Sequence, residues 1–182
     1  MTPRRSGLAR IPRWIEGRAE LDPVGRALAG AVARLPEGPK AVLRGAGMGH
    51  PLHPVLTDVV IGCWTSAWLL DLAGEPGDGR STELLLGIGL AAAVPTALAG
   101  AADAALLDAR RRRVAVAHAA VNLVASGAFG ASLVARTTGR VRAGVVLGHL
   151  GAGVATVGGF LGGCLAFEPV RPEVPSVLDA AA

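Results

Sequence analysis

Gly49-His50-Pro51-Leu52-His53-Pro54 runs directly into Val55–Ala73, VLTDVVIGCWTSAWLLDLA, a stretch broken only by two aspartates and a few small polar residues. A helix needs about 20 apolar residues to cross the hydrocarbon core of a bilayer. Three more stretches of that kind follow, Leu84–Leu107, Val114–Ala135 and Gly144–Phe167. The chain is therefore expected to be all-α, a four-transmembrane-helix bundle. Composition agrees, with 51% hydrophobic residues, 18% charged residues and a mean hydropathy of +0.47. That balance excludes an ordinary soluble domain.

Outward from these runs, the chain divides into three expected parts. Residues 1–49 form an N-terminal segment, residues 50–167 the transmembrane domain, and residues 168–182 a disordered tail with three prolines. Residues 1–21 are Arg-rich and read as irregular. Asp22-Pro23 then gives an N-cap and a first-turn proline, and Val24, Leu28, Val32 and Leu35 fall on one helical face. This predicts a short amphipathic surface helix over 23–35, lying on the membrane or against the bundle end. Met1–Trp14 is basic without the apolar segment of a signal peptide. Pro95 predicts a kink in the second spanning helix.

The formal charge of +4 and pI near 10.4 would suggest nucleic acid in a soluble protein. With 3% aromatics, no tyrosine and no recognition motif, nucleic acid is excluded and the arginines read as orientation signals. The N-terminal segment carries Arg4, Arg5, Arg10, Arg13, Arg18, Arg26, Arg34, Lys40 and Arg44, and the second loop adds Arg110–Arg113. The opposite side has Arg80, Arg136, Arg140 and Arg142. Positive-inside then puts both termini and the HPLHP turn of this multi-pass chain in the cytoplasm.

Each histidine of the HPLHP box precedes a proline, which pushes it towards extended backbone. A β-turn over His50–His53 is expected, with His53 as N-cap and Pro54 opening the helix. Ionisable groups inside spanning helices are expensive and face the bundle interior. At 1.5 Å per residue, Asp58, Asp103, His118 and Cys164 all lie about 5–6 Å in from the same membrane edge, level with His50 and His53. His118, Asn122 and Ser126 recur at helical spacing, as do Thr96, Gly100 and Asp103. His149 belongs to the other side, roughly 20 Å away in depth.

Two histidines at one level suit the axial positions of a b-type haem or a transition-metal centre. Candidate cofactor-binding residues are His53, His118, Asp103 and Asn122, the last two as acceptors behind a ligand histidine. Candidate metal ligands are His50, His53, His118, Cys164 and Asp58. Cys63 and Cys164 sit inside apolar runs, which excludes a disulfide framework. The scarcity of aromatics argues against a haem pocket. Glycines of the fourth run, Gly158/Gly162 and Gly159/Gly163, either pack helices closely or leave room for a flat cofactor.

The runs GHPLHPVLTDVVIGCWTSAWLLDL, AAAVPTALAGAAD, RVAVAHAAVNLVASGAFGASLVAR and GGFLGGCLAF resemble a bacterial membrane family called domain of unknown function 2231. The similarity covers roughly residues 20–167, with the HPLHP box its most specific part. It implies a four-helix integral membrane protein without an assigned activity. Fusion of some members to Rieske iron–sulfur domains implies redox work and a Rieske-type redox partner. The resemblance also implies a histidine where this chain has Cys164; cysteine is an alternative metal ligand. Three functions stay open: a haem- or metal-binding redox module, a structural or partner-binding membrane protein without cofactor, and a proton-coupled transporter relaying through Asp58, Asp103 and His118. Four helices are few for a transporter, so that reading needs a homo-oligomer. No nucleophile–base pair is legible, so no catalytic residues are assigned.

Overall fold

A computed structural model describes residues 8, 10–74 and 79–167; the expected tail from residue 168 lies outside the described residues. Seven helices follow in order: α1 (Arg10–Glu16), α2 (Asp22–Ala33), α3 (Glu37–Leu43), α4 (Leu52–Ala73), α5 (Arg80–Ala104), α6 (Ala109–Thr137) and α7 (Val141–Ala166). The last four have 22, 25, 29 and 26 residues and the hydropathy of membrane spans. Their outward faces carry exposed Ile61, Leu69, Leu84, Val94, Leu123, Val134, Val146 and Val157. Apolar side chains this numerous on an exposed helical surface are satisfied by lipid, and helices satisfy their own backbone there.

The spans pack as two antiparallel hairpins, α4–α5 and α6–α7. Their registers are fixed by glycines that receive large side chains. A Cβ on Gly144 would meet Arg136, on Gly148 Asp71 and Ser132, on Gly151 Phe129, on Gly158 Asn122 and on Gly162 His118. As α6 counts down, α7 counts up in step, in alternating steps of four and three, the spacing of a helix seam. The first hairpin repeats the device, with Trp64 against Gly89 and His53 against Gly100.

The two hairpins are copies of one another. His53 and His118, Trp64 and Phe129, and Asp71 and Arg136 lie 65 positions apart (118 less 53, 129 less 64, 136 less 71). Each pair meets across the bundle centre: the histidine rings at 6.3 Å between centroids, the aromatic rings stacked at 4.4 Å, the ion pair at 2.6 Å. The receiving glycines Gly89 and Gly151, and Gly100 and Gly162, lie 62 apart (151 less 89, 162 less 100). The offset falls by three because three residues separate α6 from α7 where six separate α4 from α5. Equivalent residues meeting each other place an approximate two-fold axis between α4 and α6, along the bundle.

The arginine run does more than carry charge. Asp108 caps α6 by accepting from the backbone N–H of Arg110 and Arg111, and those bonds hold its carboxyl below the usual carboxylate range. Arg111 donates to the Leu165 carbonyl at the end of α7, and Arg112 to the carbonyls of Ala104, Ala105 and Leu107 after α5. Arg113 grips the Asp22 carboxylate with two nitrogens and donates to the Glu16 carbonyl. This ties α1 and α2 onto the same end of the bundle.

The expected amphipathic helix is thus α2, and its buried positions, Gly25 and Val32, face the bundle end. Val24, Leu28 and Leu35 stay exposed beside them, and Arg26 and Arg34 lie further round. Residues 10–21, read as irregular, instead form α1 and a 3-10 turn at Ala19–Leu21. Helix α1 has one buried side chain, Ile15, packed with Val114 and Leu161, and seven residues are too few for a legible period. Helix α5 continues through Pro95 without interruption.

Candidate functional site

The HPLHP box differs locally from its expected turn. Pro51 is the N-cap, α4 starts at Leu52, and His53 lies inside its first turn. The bias against helical backbone before proline is overridden by two contacts. His53 Nδ1–H donates to the Thr96 carbonyl of α5 at 2.9 Å, and Thr57 Oγ1 donates back to the His53 carbonyl at 2.8 Å. The missing N–H of Pro54 is harmless in a first turn.

The second histidine repeats the first. His118 Nδ1–H donates to the Gly158 carbonyl of α7, also at 2.9 Å. Thr96 and Gly158 are 62 apart (158 less 96), so the two bonds are equivalents in the duplicated hairpin. A carbonyl only accepts, so Nδ1 carries the proton in both rings and the Nε2 lone pair is left over. For His53, Nε2 has no partner among the described residues and is not sealed off.

Asn122 lies one turn from His118, with its Nδ2 at 3.2 and 3.0 Å from the two ring nitrogens. A point that close to both lies above the ring face, because in the ring plane it would collide with Cε1. The amide therefore stacks on the imidazole and donates to the His118 carbonyl at 3.1 Å. Gly158 and Gly162 make room for this: an added Cβ would sit 2.5 Å from Asn122 Oδ1 and 3.0 Å from His118 Cε1. Ser126 continues the stripe by donating to the Asn122 carbonyl. Eleven residues further along α4 and α6, about 16 Å deeper in the bundle, Trp64 and Phe129 stack, and the Trp64 indole N–H is buried without a partner among the described residues.

The other candidates are distributed more widely. Asp103 is half-buried on α5, three residues beyond the Gly100 that backs His53. Cys164 is half-buried on α7 and makes no disulfide. Asp58 stands exposed on the outer face of α4. Five residues from His53, it is turned about 140° round the helix. His50 is exposed and donates from Nδ1 to the Pro51 carbonyl. His149 bonds its own helix at the Val145 carbonyl and faces Trp68, away from the pair. Among the described residues, no three His, Cys, Asp or Glu side chains converge as a group that would hold a metal ion. Sequence spacing singled out Thr96, Gly100, Gly158 and Gly162 as stripe and packing positions, but missed that the Thr96 and Gly158 carbonyls hold the two rings and that Gly100 and Gly162 seat them. The four-three spacing of large residues on α6 against glycines on α7 was the available signal.

Four apolar helices with lipid-compatible outer faces and polar side chains turned to a shared axis define a multi-span membrane protein. The family model for domain of unknown function 2231 (DUF2231), described as a predicted membrane protein, matches residues 49–170. The chain belongs to that family. Comparison with curated proteins and with solved structures returns no match.

Proposed function

We propose that the protein is a membrane-embedded metal-binding module in which His53 and His118 share one transition-metal ion through Nε2. One observation carries the reading. Both Nδ1 atoms are committed to carbonyls of the neighbouring helix, which fixes tautomer and ring orientation as in known metal sites. The ring centroids are 6.3 Å apart. Two imidazoles bound at about 2.0–2.1 Å on opposite sides of one ion hold their centroids at roughly that distance. Imidazole suits copper, zinc, iron and nickel. Haem fits less well, because the space the glycines leave is filled by Asn122 and the two rings.

The arginine distribution supports a bacterial inner-membrane setting with both termini and the histidine pair on the cytoplasmic side. A redox role with an iron–sulfur partner is the activity class this reading favours. The competing reading, a cofactor-free structural protein, draws on the lack of a third ligand among the described residues: the histidines would then only pin each hairpin closed. Elemental analysis and absorbance spectra of detergent-purified protein separate the two. About one metal per chain is expected, lost in His53→Ala and in His118→Ala. A wild-type protein that takes up no metal after incubation with copper, zinc, iron or nickel would overturn the proposal.

A further inference from the structure

A second polar site lies outside the histidine pair, where the chain enters α4. The segment Gly45-Ala46-Gly47-Met48-Gly49 has left-handed backbone at all three glycines, with φ of 84°, 86° and 77°. Gly45 is obligatory, since the loop folds back and a Cβ there would fall onto the His50 carbonyl. Gly45, Ala46 and Gly49 of this preformed loop wall a cavity of about 430 Å³, together with Glu37, Arg44, His50 and Pro51. That volume is within the range of small-ligand sites.

Three features give the cavity its sign. Arg44 makes no ion pair or side-chain hydrogen bond among the described residues, and its Nε is fully buried without a partner. The backbone N–H groups of two lining residues, Gly49 and His50, donate to nothing among the described residues. The one acidic lining residue, Glu37, is neutralised by Lys40 at 2.7 Å. A buried donor left unmet is costly, and a fixed cation beside free N–H groups is the arrangement that binds phosphate oxygens. Pro51 caps a spanning helix, so the cavity opens at the boundary between water and lipid.

We infer that this cavity binds a phosphate group, carried either by an anionic lipid at that boundary or by a soluble phosphate. The reading is independent of any metal at the histidines. The test titrates detergent-purified protein with phosphatidylglycerol in mixed micelles and, separately, with inorganic phosphate against chloride at equal ionic strength, following bound ligand by native mass spectrometry and the melting temperature. Saturable binding is expected, weakened at least tenfold in Arg44→Gln and within twofold of wild type in Arg34→Gln, an exposed arginine outside the cavity. Binding of phosphatidylglycerol that phosphate does not displace assigns a lipid headgroup; displacement by phosphate assigns the soluble anion. No binding of either, or equal weakening by both substitutions, overturns the inference. If Arg44→Gln lacks native helicity, the exposed His50→Ala replaces it, with at least threefold weakening expected and unchanged binding overturning the inference.

Discussion

The Asp71–Arg136 pair gives the sharpest test of the packing. Arg136 Nη2 lies 2.6 Å from Asp71 Oδ2, and the two side chains are 4% and 6% exposed. Gly144 and Gly148 supply the space they fill, and Ser132 both bridges to the Gly144 carbonyl and accepts from Arg136 Nε. Asp71→Asn keeps the volume and removes the charge, so no cavity confuses the result. Removing one partner of a buried pair strands the other charge and costs about 3–5 kcal/mol. For a chain of this size, 1 kcal/mol moves the melting temperature by about 2–4 °C, so the expected fall is roughly 6–20 °C. The double variant Asp71→Leu/Arg136→Met replaces both charges with apolar volume and should recover most of the loss, because an apolar substitute for a buried pair is often near neutral. The assay is tryptophan fluorescence in a neutral detergent, since Trp64 stacks on Phe129 two turns below the pair. A buried pair is also screened little by salt, so the shift should persist in high salt. A fall under 2 °C for Asp71→Asn, or a double variant as unstable as the two single losses added together, would refute the reasoning.

Gly158→Val should push Asn122 off the His118 ring, since even a Cβ would come within 2.5 Å of Oδ1, and lower metal affinity at least tenfold by titration; an unchanged affinity would separate the ring position from binding. Gly45→Ala should destabilise more than Gly47→Ala: both carry the roughly 1–2 kcal/mol of left-handed backbone, but only the first drives a Cβ into the His50 carbonyl, and thermal melts of the two variants compare them directly. The Arg113 hydrogen bond holds the Asp22 carboxyl below its ordinary value of 3.8, so the docking of α1 and α2 is favoured above that pH and weakens as pH falls below it. Hydrogen-exchange protection factors over residues 10–43, which correct for the slower intrinsic exchange in acid, should fall under acid conditions in the wild type and much less in Asp22→Asn, whose segment is already loosened at neutral pH.

What was legible in the sequence follows from what is additive along a chain. Hydropathy sums locally, so the four spans, the all-α class and the membrane setting were set by composition and run length before any contact was known. Depth is nearly additive too, which is why His53 and His118 were placed at one level and do come together. Direction round a helix was read less well: Asp58 shares that level but points outward, and Ser126 continues a stripe whose true seam turns at Ala125 to Phe129. The duplication was hidden because only a few equivalent positions, among them His53/His118, Gly89/Gly151 and Gly100/Gly162, keep their residue type. Tryptophan answers phenylalanine, threonine answers asparagine, and aspartate answers arginine, a reversal of charge that only makes sense once the two meet across the axis.

The chain by itself therefore determined where the protein resides and how many times it crosses, because lipid acts on each residue separately. The folded arrangement decided which polar groups face each other, which nitrogen of each histidine is free, and that the arginine run ties off three helix ends. Those depend on register between helices, and register is set by side chains seating against glycines on a different segment, a relation that no single stretch of sequence contains.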